Sequence, residues 1–125
     1  AEGTLAFFSS VELETIDDPP LKSTGLVLFN SVEEAVSALP ILVDEGADAI
    51  ELLDDASLRT ARYVKNAPYD YREIQDQSAG LLFEFQKHDV SSITSLNQTI
   101  PDALKFAGGE LPLGLTDDIK SRNAF

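Results

Sequence analysis

Two glutamates, Glu51 and Glu84, are the residues of this chain best placed to contribute to a polar site. Each interrupts a short apolar run, AIELLD or GLLFEFQ, of the kind that forms a β-strand. Because side chains alternate between the faces of a strand, Glu51 shares a face with Ala49 and Leu53, and Glu84 shares one with Leu82. Two carboxylates on neighbouring strands can present acids to a pocket. The alternative is that both are ordinary solvated glutamates.

Other residue types that carry chemistry are scarce. The absence of cysteine excludes disulfides, thiolate metal sites and a cysteine nucleophile. The single histidine, His88, lies in a QKHD turn and is expected to be an exposed loop residue. Tyr69 and Tyr71 fall in a polar stretch, residues 65–79, that is predicted to be a long loop. No phosphate-binding glycine motif, zinc-protease motif or nucleophile elbow occurs in the sequence.

Charge and composition narrow the classes of partner. The 125 residues include 22 acidic and 9 basic side chains, for a net charge of −13, which repels nucleic acid and anionic lipid. With 43% hydrophobic residues and no apolar run near ~18 residues, the chain is expected to be globular, without a membrane span. No signal-peptide pattern is visible. The cytoplasm is the default expectation for a chain without cysteine. The chain opens at Ala1 without methionine and is interpreted as a piece of a longer protein.

The elements that position the two glutamates begin with a strand, a helix and a second strand. Residues 25–29 predict the first strand, and residues 48–53 the second. Ser31 and Glu34 form a capping box that starts the helix between them, and Gly46 ends it. Pro40 is expected to kink or briefly break this helix. Apolar residues at helical spacing are expected to share its buried face: Val32, Ala35, Val36, Leu39, Leu42 and Val43.

The rest of the chain predicts a further α/β pattern. A short helix around Leu58 starts at Asp54 or Asp55, and residues 80–86 form the third strand. A second main helix starts at Asp89 or Ser91, is interrupted at Pro101 and closes at Gly108-Gly109. An edge strand is expected at residues 111–115.

The N-terminal region is expected to stand apart from these elements. Alternation in residues 1–16 suggests a strand or one leg of a hairpin, and Asp17-Asp18-Pro19-Pro20 reads as a stiff connector.

The predicted order of elements is that of an α+β fold, the ferredoxin-like split βαβ, with two main helices on one face of an antiparallel sheet. Two helices cover only one face of the sheet. The opposite face, which carries Ala49, Leu53, Leu82 and residues of the first strand, is therefore expected to dock against another surface.

Four stretches in order resemble one family. EGTLAF at 2–7 is similar to the end of the FAD-binding domain in FAD-linked oxidases and D-lactate dehydrogenase-type enzymes. SVEEAV at 31–36, followed by Leu39-Pro40, and AIELLDDASL at 49–58 resemble the helix, strand and helix of the substrate or cap domain that follows. LLFEF at 81–85 resembles that domain's next strand. The family's histidine-rich HxGDGN-type segment is absent from this sequence.

The resemblance implies a parent flavoenzyme that oxidises a D-2-hydroxy acid such as lactate, glycolate or 2-hydroxyglutarate. It implies that residues 1–18 end the FAD-binding domain and that residues 19–125 belong to the cap domain. Glu2, Gly3, Thr4 and Leu5 would then be cofactor-side remnants, and Glu51 and Glu84 would face the substrate pocket. The isolated chain is expected to bind no FAD and to be inactive.

The implied partners are the parent's own FAD-binding domain and a small 2-hydroxy acid, with any membrane association peripheral and through the parent. The open face is expected to permit self-association of the isolated chain. The alternative is a stand-alone ferredoxin-like module that binds a regulatory ligand or dimerises.

Overall fold

The computed structural model describes residues 5, 7–61, 63, 74–112 and 114–118. Within these ranges the chain forms four strands and three helices: β1 (Leu21–Phe29), α1 (Val32–Asp44), β2 (Ala49–Leu53), α2 (Asp55–Ala61), β3 (Ala79–Lys87), α3 (Val90–Phe106) and β4 (Leu115–Thr116).

The sheet has the strand order β2-β3-β1-β4, and all neighbouring strands are antiparallel. Strand β3 thus lies between β1 and β2, which are joined through α1. This arrangement is the split βαβ, and it confirms the predicted α+β class and the predicted pairing of the second and third strands.

The ends of the two main helices follow the signals in the sequence. The Ser31 hydroxyl accepts a hydrogen bond from the Glu34 amide at the start of α1, and the Asp89 carboxylate accepts one from the Ser92 amide at the start of α3. The Glu34 carboxylate reaches back to the amide of Asn30, one residue before the cap, so the capping box is shifted by one position.

Both main helices also end in a glycine turn. Gly46 and Gly108 have positive φ angles of 71° and 88°. Their amide groups and those of the following residues close Schellman motifs on carbonyls of the last turn.

The expected break at Pro40 does not occur, because α1 runs unbroken from Val32 to Asp44, and α3 likewise continues through Pro101. A proline removes one backbone hydrogen bond, and the packing of buried residues on either side holds the helix together. In α1 these are Ala35, Ala38 and Leu42.

The expected apolar face of α1 is only half buried. Ala35 and Leu42 lie in the core, whereas Val32, Val36 and Val43 are exposed. The buried face is rotated towards Ala38, which is buried and was not among the six expected positions, so the valines on the other flank are left exposed.

The main core lies between the sheet and the two long helices. Its sheet side consists of the odd-numbered residues of β1 and β3. They pack against buried residues of α1 and α3: Ala35, Ala38, Leu42, Ile93, Leu96, Ile100 and Leu104. Ser23, the buried polar residue on this side, donates a hydrogen bond to Asn97 of α3 at 2.6 Å.

The opposite face of the sheet is not fully open, which corrects the sequence-based expectation. Helix α2 lies on it, and Leu58 packs with Leu26, Leu28 and Ile74 in a second small core. Leu58 is only 1% exposed. The two main helices do share one face, as predicted, but the short third helix covers part of the other.

Two further expectations were wrong in detail. The described part of the N-terminal region, residue 5 and residues 7–19, contains no strand, and the four-stranded sheet includes none of these residues. Alternation in the sequence forms a strand only where a neighbouring strand supplies the ladder hydrogen bonds. Strand β4 is limited to Leu115–Thr116, with a separate bridge between Leu28 and Glu110, in place of a strand over residues 111–115. Within the described part of the chain, no helix has the length and apolar character needed to span a membrane.

Candidate functional site

The face that carries α2 has an apolar half and a polar half. In the apolar half, Leu53, Ala61 and Leu82 surround the small core around Leu58. The polar half is an open depression of about 200 Å³. Its lining residues are Thr24, Ala49, Glu51, Leu82, Phe83 and Glu84.

Strand register brings the two predicted glutamates onto this depression from neighbouring strands. Glu84 of β3 is paired with Ala49 of β2, and Glu51 is paired with Leu82. The two carboxylates are therefore diagonal neighbours on one face, an arrangement that typically separates Cβ atoms by about 7 Å. Their common face agrees with the strand parity of the sequence. Whether that face meets a substrate pocket stays a prediction.

Glu84 is held in place by hydrogen bonds to both carboxylate oxygens. The Thr24 hydroxyl donates to Oε2 at 3.1 Å, and the Gln86 side-chain amide donates to Oε1 at 2.8 Å. Thr24 is buried and Glu84 is half-buried, so these bonds are partly shielded from water. Glu84 is thus an oriented acceptor rather than a mobile surface side chain.

Glu51 differs from Glu84 in every one of these respects. It lies on β2, which is an edge strand of the sheet, and it is exposed. Among the residues that the structure describes, none donates a hydrogen bond to its carboxylate. The depression therefore combines one fixed and one free carboxylate.

Sequence reasoning did not identify the residues that hold Glu84. Thr24 lies opposite Glu84 in the β1–β3 ladder, and Lys22 lies opposite Gln86. The first strand was expected to begin at Gly25. The alternation of side chains was therefore not applied to Lys22 or Thr24. Extending the alternation back to Leu21 would have placed Lys22 and Thr24 on the face of Glu84.

Lys22 is the basic residue that β1 contributes to this face, and its ammonium group lies 2.6 Å from the carboxylate of Asp18. That ion pair keeps its charge turned towards the N-terminal connector. The carboxylate oxygens of Glu51 and Glu84 make the depression rich in hydrogen-bond acceptors, which suits a hydrogen-bond donor or a cationic group and disfavours an anion.

The other candidate residues that the structure describes, Leu5 and His88, do not line this depression. Glu2, Gly3, Thr4, Tyr69 and Tyr71 lie outside the described residues. Leu5 is 82% exposed, and His88 is exposed, as expected of a loop residue. In the described part of the chain, no three histidine or acidic side chains are grouped so as to hold a metal ion.

These features define a class: a ferredoxin-like split βαβ domain whose second sheet face is half covered and half polar. Residues 18–124 match the family model described as "FAD linked oxidases, C-terminal domain". The match covers most of the chain, and the chain therefore belongs to this family.

A solved structure of an alkyldihydroxyacetonephosphate synthase shares the fold, with a TM-score of 0.63 and 13% sequence identity. The similarity covers 85% of this chain and 23% of the synthase chain, so the chain spans about a quarter of the protein that it resembles. No curated protein matches the sequence.

The described residues do not fit FAD as a resident group. A dinucleotide needs backbone amides or a helix N-terminus, usually behind a glycine-rich loop, to receive its pyrophosphate. The depression offers two carboxylates and apolar side chains instead. If the parent protein binds FAD, other parts of that protein must hold its phosphates.

Proposed function

We propose that this chain is the substrate-side domain of an FAD-dependent dehydrogenase or oxidase, and that the polar half of its second sheet face lies over the flavin. Membership of the FAD-linked oxidase family supports FAD as the cofactor of the parent protein. The observation that carries the placement is the depression around Glu51 and Glu84, because it is the part of this face that α2 leaves open.

In this proposal the FAD-binding domain of the parent protein is the partner of the open half-face. Residues 1–18, including Glu2, Gly3, Thr4 and Leu5, are the end of that domain, and residues 19–125 belong to the domain that covers it. FAD held by other parts of the parent would supply the acceptor for the hydride that the substrate carbon loses. The parent is proposed to work in the cytoplasm, or at a membrane surface through other parts of its chain.

The proposed substrate is a 2-hydroxy acid of the lactate, glycolate or 2-hydroxyglutarate class. That choice rests on the resemblance of the sequence motifs, since the solved neighbour is named for a synthase. A 2-hydroxy acid is an anion, so Glu51 and Glu84 cannot bind its carboxylate directly. Their proposed role is to accept hydrogen bonds at the edge of the pocket, with Glu84 fixed by Thr24 and Gln86 and Glu51 free to pair with a group of the flavin domain.

The test uses the full-length parent protein. Flavin reduction is followed on mixing with D-lactate, glycolate, D-2-hydroxyglutarate and the matching alcohols that lack a carboxylate. The proposal expects one of the acids to reduce the flavin and the alcohols not to. Reduction by none of the acids would contradict the substrate class, and a parent that contains no flavin would contradict the function itself.

Isosteric variants test the placement of the depression. Glu51→Gln and Glu84→Gln are each expected to lower kcat/KM by about tenfold or more, the size of effect seen when an oriented polar contact is lost. Glu33→Gln removes the same charge from the exposed side of α1 and is the matched control. Equal effects of all three variants would contradict the placement.

The isolated chain provides a separate check. The described residues offer no cradle for the pyrophosphate, so the 125-residue chain is expected not to retain FAD in equilibrium dialysis. Stoichiometric, saturable binding of FAD would contradict the assignment of the cofactor to another domain.

A further inference from the structure

The exposed side of α1 carries an apolar stripe that the fold leaves unused. At about 100° per residue, Val32, Val36 and Val43 fall within an arc of about 40° on the helix, and Pro40 extends it. Val36 is 47% exposed and Val43 is 60% exposed. A side of a helix that faces water usually carries polar residues, so a row of three valines requires another explanation.

The stripe lies beside the free edge of the sheet. A right-handed β1-α1-β2 crossover turns this flank of α1 towards β2, which is the outermost strand. Leu52 of β2 is 46% exposed on the same side of the sheet as α1. The stripe and Leu52 together form a surface that we name the α1–β2 shoulder.

The segment that forms the shoulder contributes acidic side chains and no basic ones. Between Asn30 and Leu58 the chain has eight acidic residues and no lysine or arginine. Of the eight, Glu51 lies on the α2 face in the depression, and Asp55 is paired with Arg59 at 2.6 Å. The other six are Glu33, Glu34, Asp44, Glu45, Asp48 and Asp54. The last turn of α1 contains no basic residue of its own, and the cation at this end of the helix is Lys87 of β3, which donates a hydrogen bond to the Gly46 carbonyl at 3.2 Å. The acidic side chains near the shoulder therefore outnumber this single lysine.

We propose that the α1–β2 shoulder is a docking surface for a basic amphipathic helix of a partner protein. An apolar ridge formed by residues four apart, Val32, Val36 and Pro40, is the surface into which another helix packs. The acidic rim selects a partner that carries lysine or arginine beside its apolar face. A second copy of this chain is the wrong occupant, because two copies would bring two acidic rims together.

The shoulder is distinct from the depression of the proposed function. The depression lies on the face that carries α2, and the shoulder lies on the face that carries α1 and α3. Loss of one site is therefore measurable without loss of the other.

The test uses the 125-residue chain and a helical peptide of about 14 residues, four turns, with leucines along one face and lysines elsewhere. Its control has the same leucines and glutamates in place of the lysines. Isothermal titration measures affinity, and amide chemical shifts of the labelled chain report where the peptide binds. The expected result is saturable binding of the lysine peptide alone, with shifts concentrated in α1 and β2.

A charge-matched pair of variants separates apolar docking from general attraction. Val36→Glu and Ser37→Glu each add one negative charge on exposed positions of α1, but only the first removes part of the stripe. Val36→Glu is expected to weaken the affinity for the lysine peptide by about tenfold, as the loss of a buried valine contact would. Ser37→Glu is expected to leave that affinity unchanged or to increase it. Circular dichroism checks that both variants keep the fold.

Four results would overturn the proposal. The first two are no binding at a lysine-peptide concentration of about 1 mM, a weak affinity, and equal binding of the glutamate peptide. The other two are an equal loss of peptide affinity in both variants and chemical-shift changes that map to the α2 face. Self-association of the free chain that Val36→Glu abolishes would also overturn it, by identifying a second copy as the occupant.

Discussion

Gly109 shows how a single missing side chain permits the main core to close. Its amide hydrogen bonds to the carbonyl of Leu104 at 2.9 Å, which completes the turn after α3. A Cβ atom at this position would lie 2.5 Å from a methyl of Val27 and 3.0 Å from the Leu104 carbonyl oxygen. Its φ angle is not positive, so the requirement for glycine here is one of space alone.

Gly109→Ala is therefore expected to destabilise the chain by about 1–3 kcal/mol, the usual cost of overpacking a core. Urea unfolding followed by circular dichroism measures the change. Gly80→Ala is the control, because its Cβ would come no closer than 3.3 Å to the flexible methyls of Leu26 and Leu28. Equal losses in the two variants would contradict the steric explanation.

The capping of α3 by Asp89 makes the stability of the fold depend on pH. Hydrogen bonds from the hydroxyl of Ser91 and then from the amide and hydroxyl of Ser92 lower the pKa of Asp89 to about 2. A carboxyl group in the unfolded chain has a pKa of about 3.9. The folded state thus binds the proton less well, and the stabilisation by Asp89 is complete above the unfolded pKa and is lost as the pH falls through about 2.

Asp89→Asn keeps a capping oxygen but cannot titrate. The wild-type chain is expected to be more stable than this variant near neutral pH, and the difference is expected to shrink as the pH falls from about 4 to about 2. Urea unfolding at a series of pH values measures both chains. A difference that stays constant over this range would mean that Asp89 is not the titrating cap.

At the scale of elements, α2 decides how much of the second sheet face is available. The helix has only seven residues, too few to be stable alone, so tertiary contacts must hold it. Its Asp54 cap, with a pKa lowered chiefly by the hydrogen bond from the Ser57 amide, fixes its first turn. Leu58 then anchors it on the sheet.

Leu58→Ala is expected to cost about 2–5 kcal/mol, as for other fully buried leucines, and to expose the apolar half of the face to dyes that bind hydrophobic surface. Leu52→Ala is the matched control, because Leu52 is already half exposed and is expected to cost about 1 kcal/mol or less. Similar losses in the two variants would mean that α2 is not anchored through Leu58.

Much of this element structure was predictable from local signals. Caps such as Ser31 and Asp89 and the closing glycines locate the helices, and strand parity correctly places Glu51 and Glu84 on one face. Local signals do not say which neighbour covers a face. For that reason the exposure of Val36 and the placement of α2 on the second sheet face depend on tertiary packing. Reasoning from the sequence put Val36 on the buried face of α1 and left the second sheet face uncovered.

The partners of Glu84 illustrate the same limit at the candidate site. Thr24 contributes a hydroxyl from a residue 60 positions away in the chain. Its role follows from the register of the antiparallel β1–β3 ladder. That ladder runs from the pair Leu21–Lys87 to the pair Phe29–Ala79. No local motif marks such a contact.

At the scale of the whole molecule, the net charge of −13 is unevenly distributed, because residues 31–57 carry eight of the 22 acidic side chains and no lysine or arginine. Two ion pairs join described residues, Lys22 with Asp18 and Arg59 with Asp55, and each involves at least one exposed side chain. Surface pairs of this kind contribute about 0–1 kcal/mol. Repulsion among the acidic residues is therefore expected to outweigh attraction across the molecule.

Added salt should consequently stabilise this chain. Raising NaCl from about 0.01 M to about 1 M shortens the screening length from about 30 Å to about 3 Å, which weakens the repulsion among the acidic residues of α1 and β2. The midpoint of thermal unfolding is expected to rise with salt. The double variant Asp44→Lys and Glu45→Lys changes the net charge by +4, to −9, and its midpoint should rise less. Both residues are exposed at the end of α1, so the substitutions leave the core intact.

A midpoint of thermal unfolding that falls with salt would mean that ion pairs dominate. Equal slopes in the two chains would mean that salt acts on the hydrophobic core instead of on the acidic surface that the docking proposal requires.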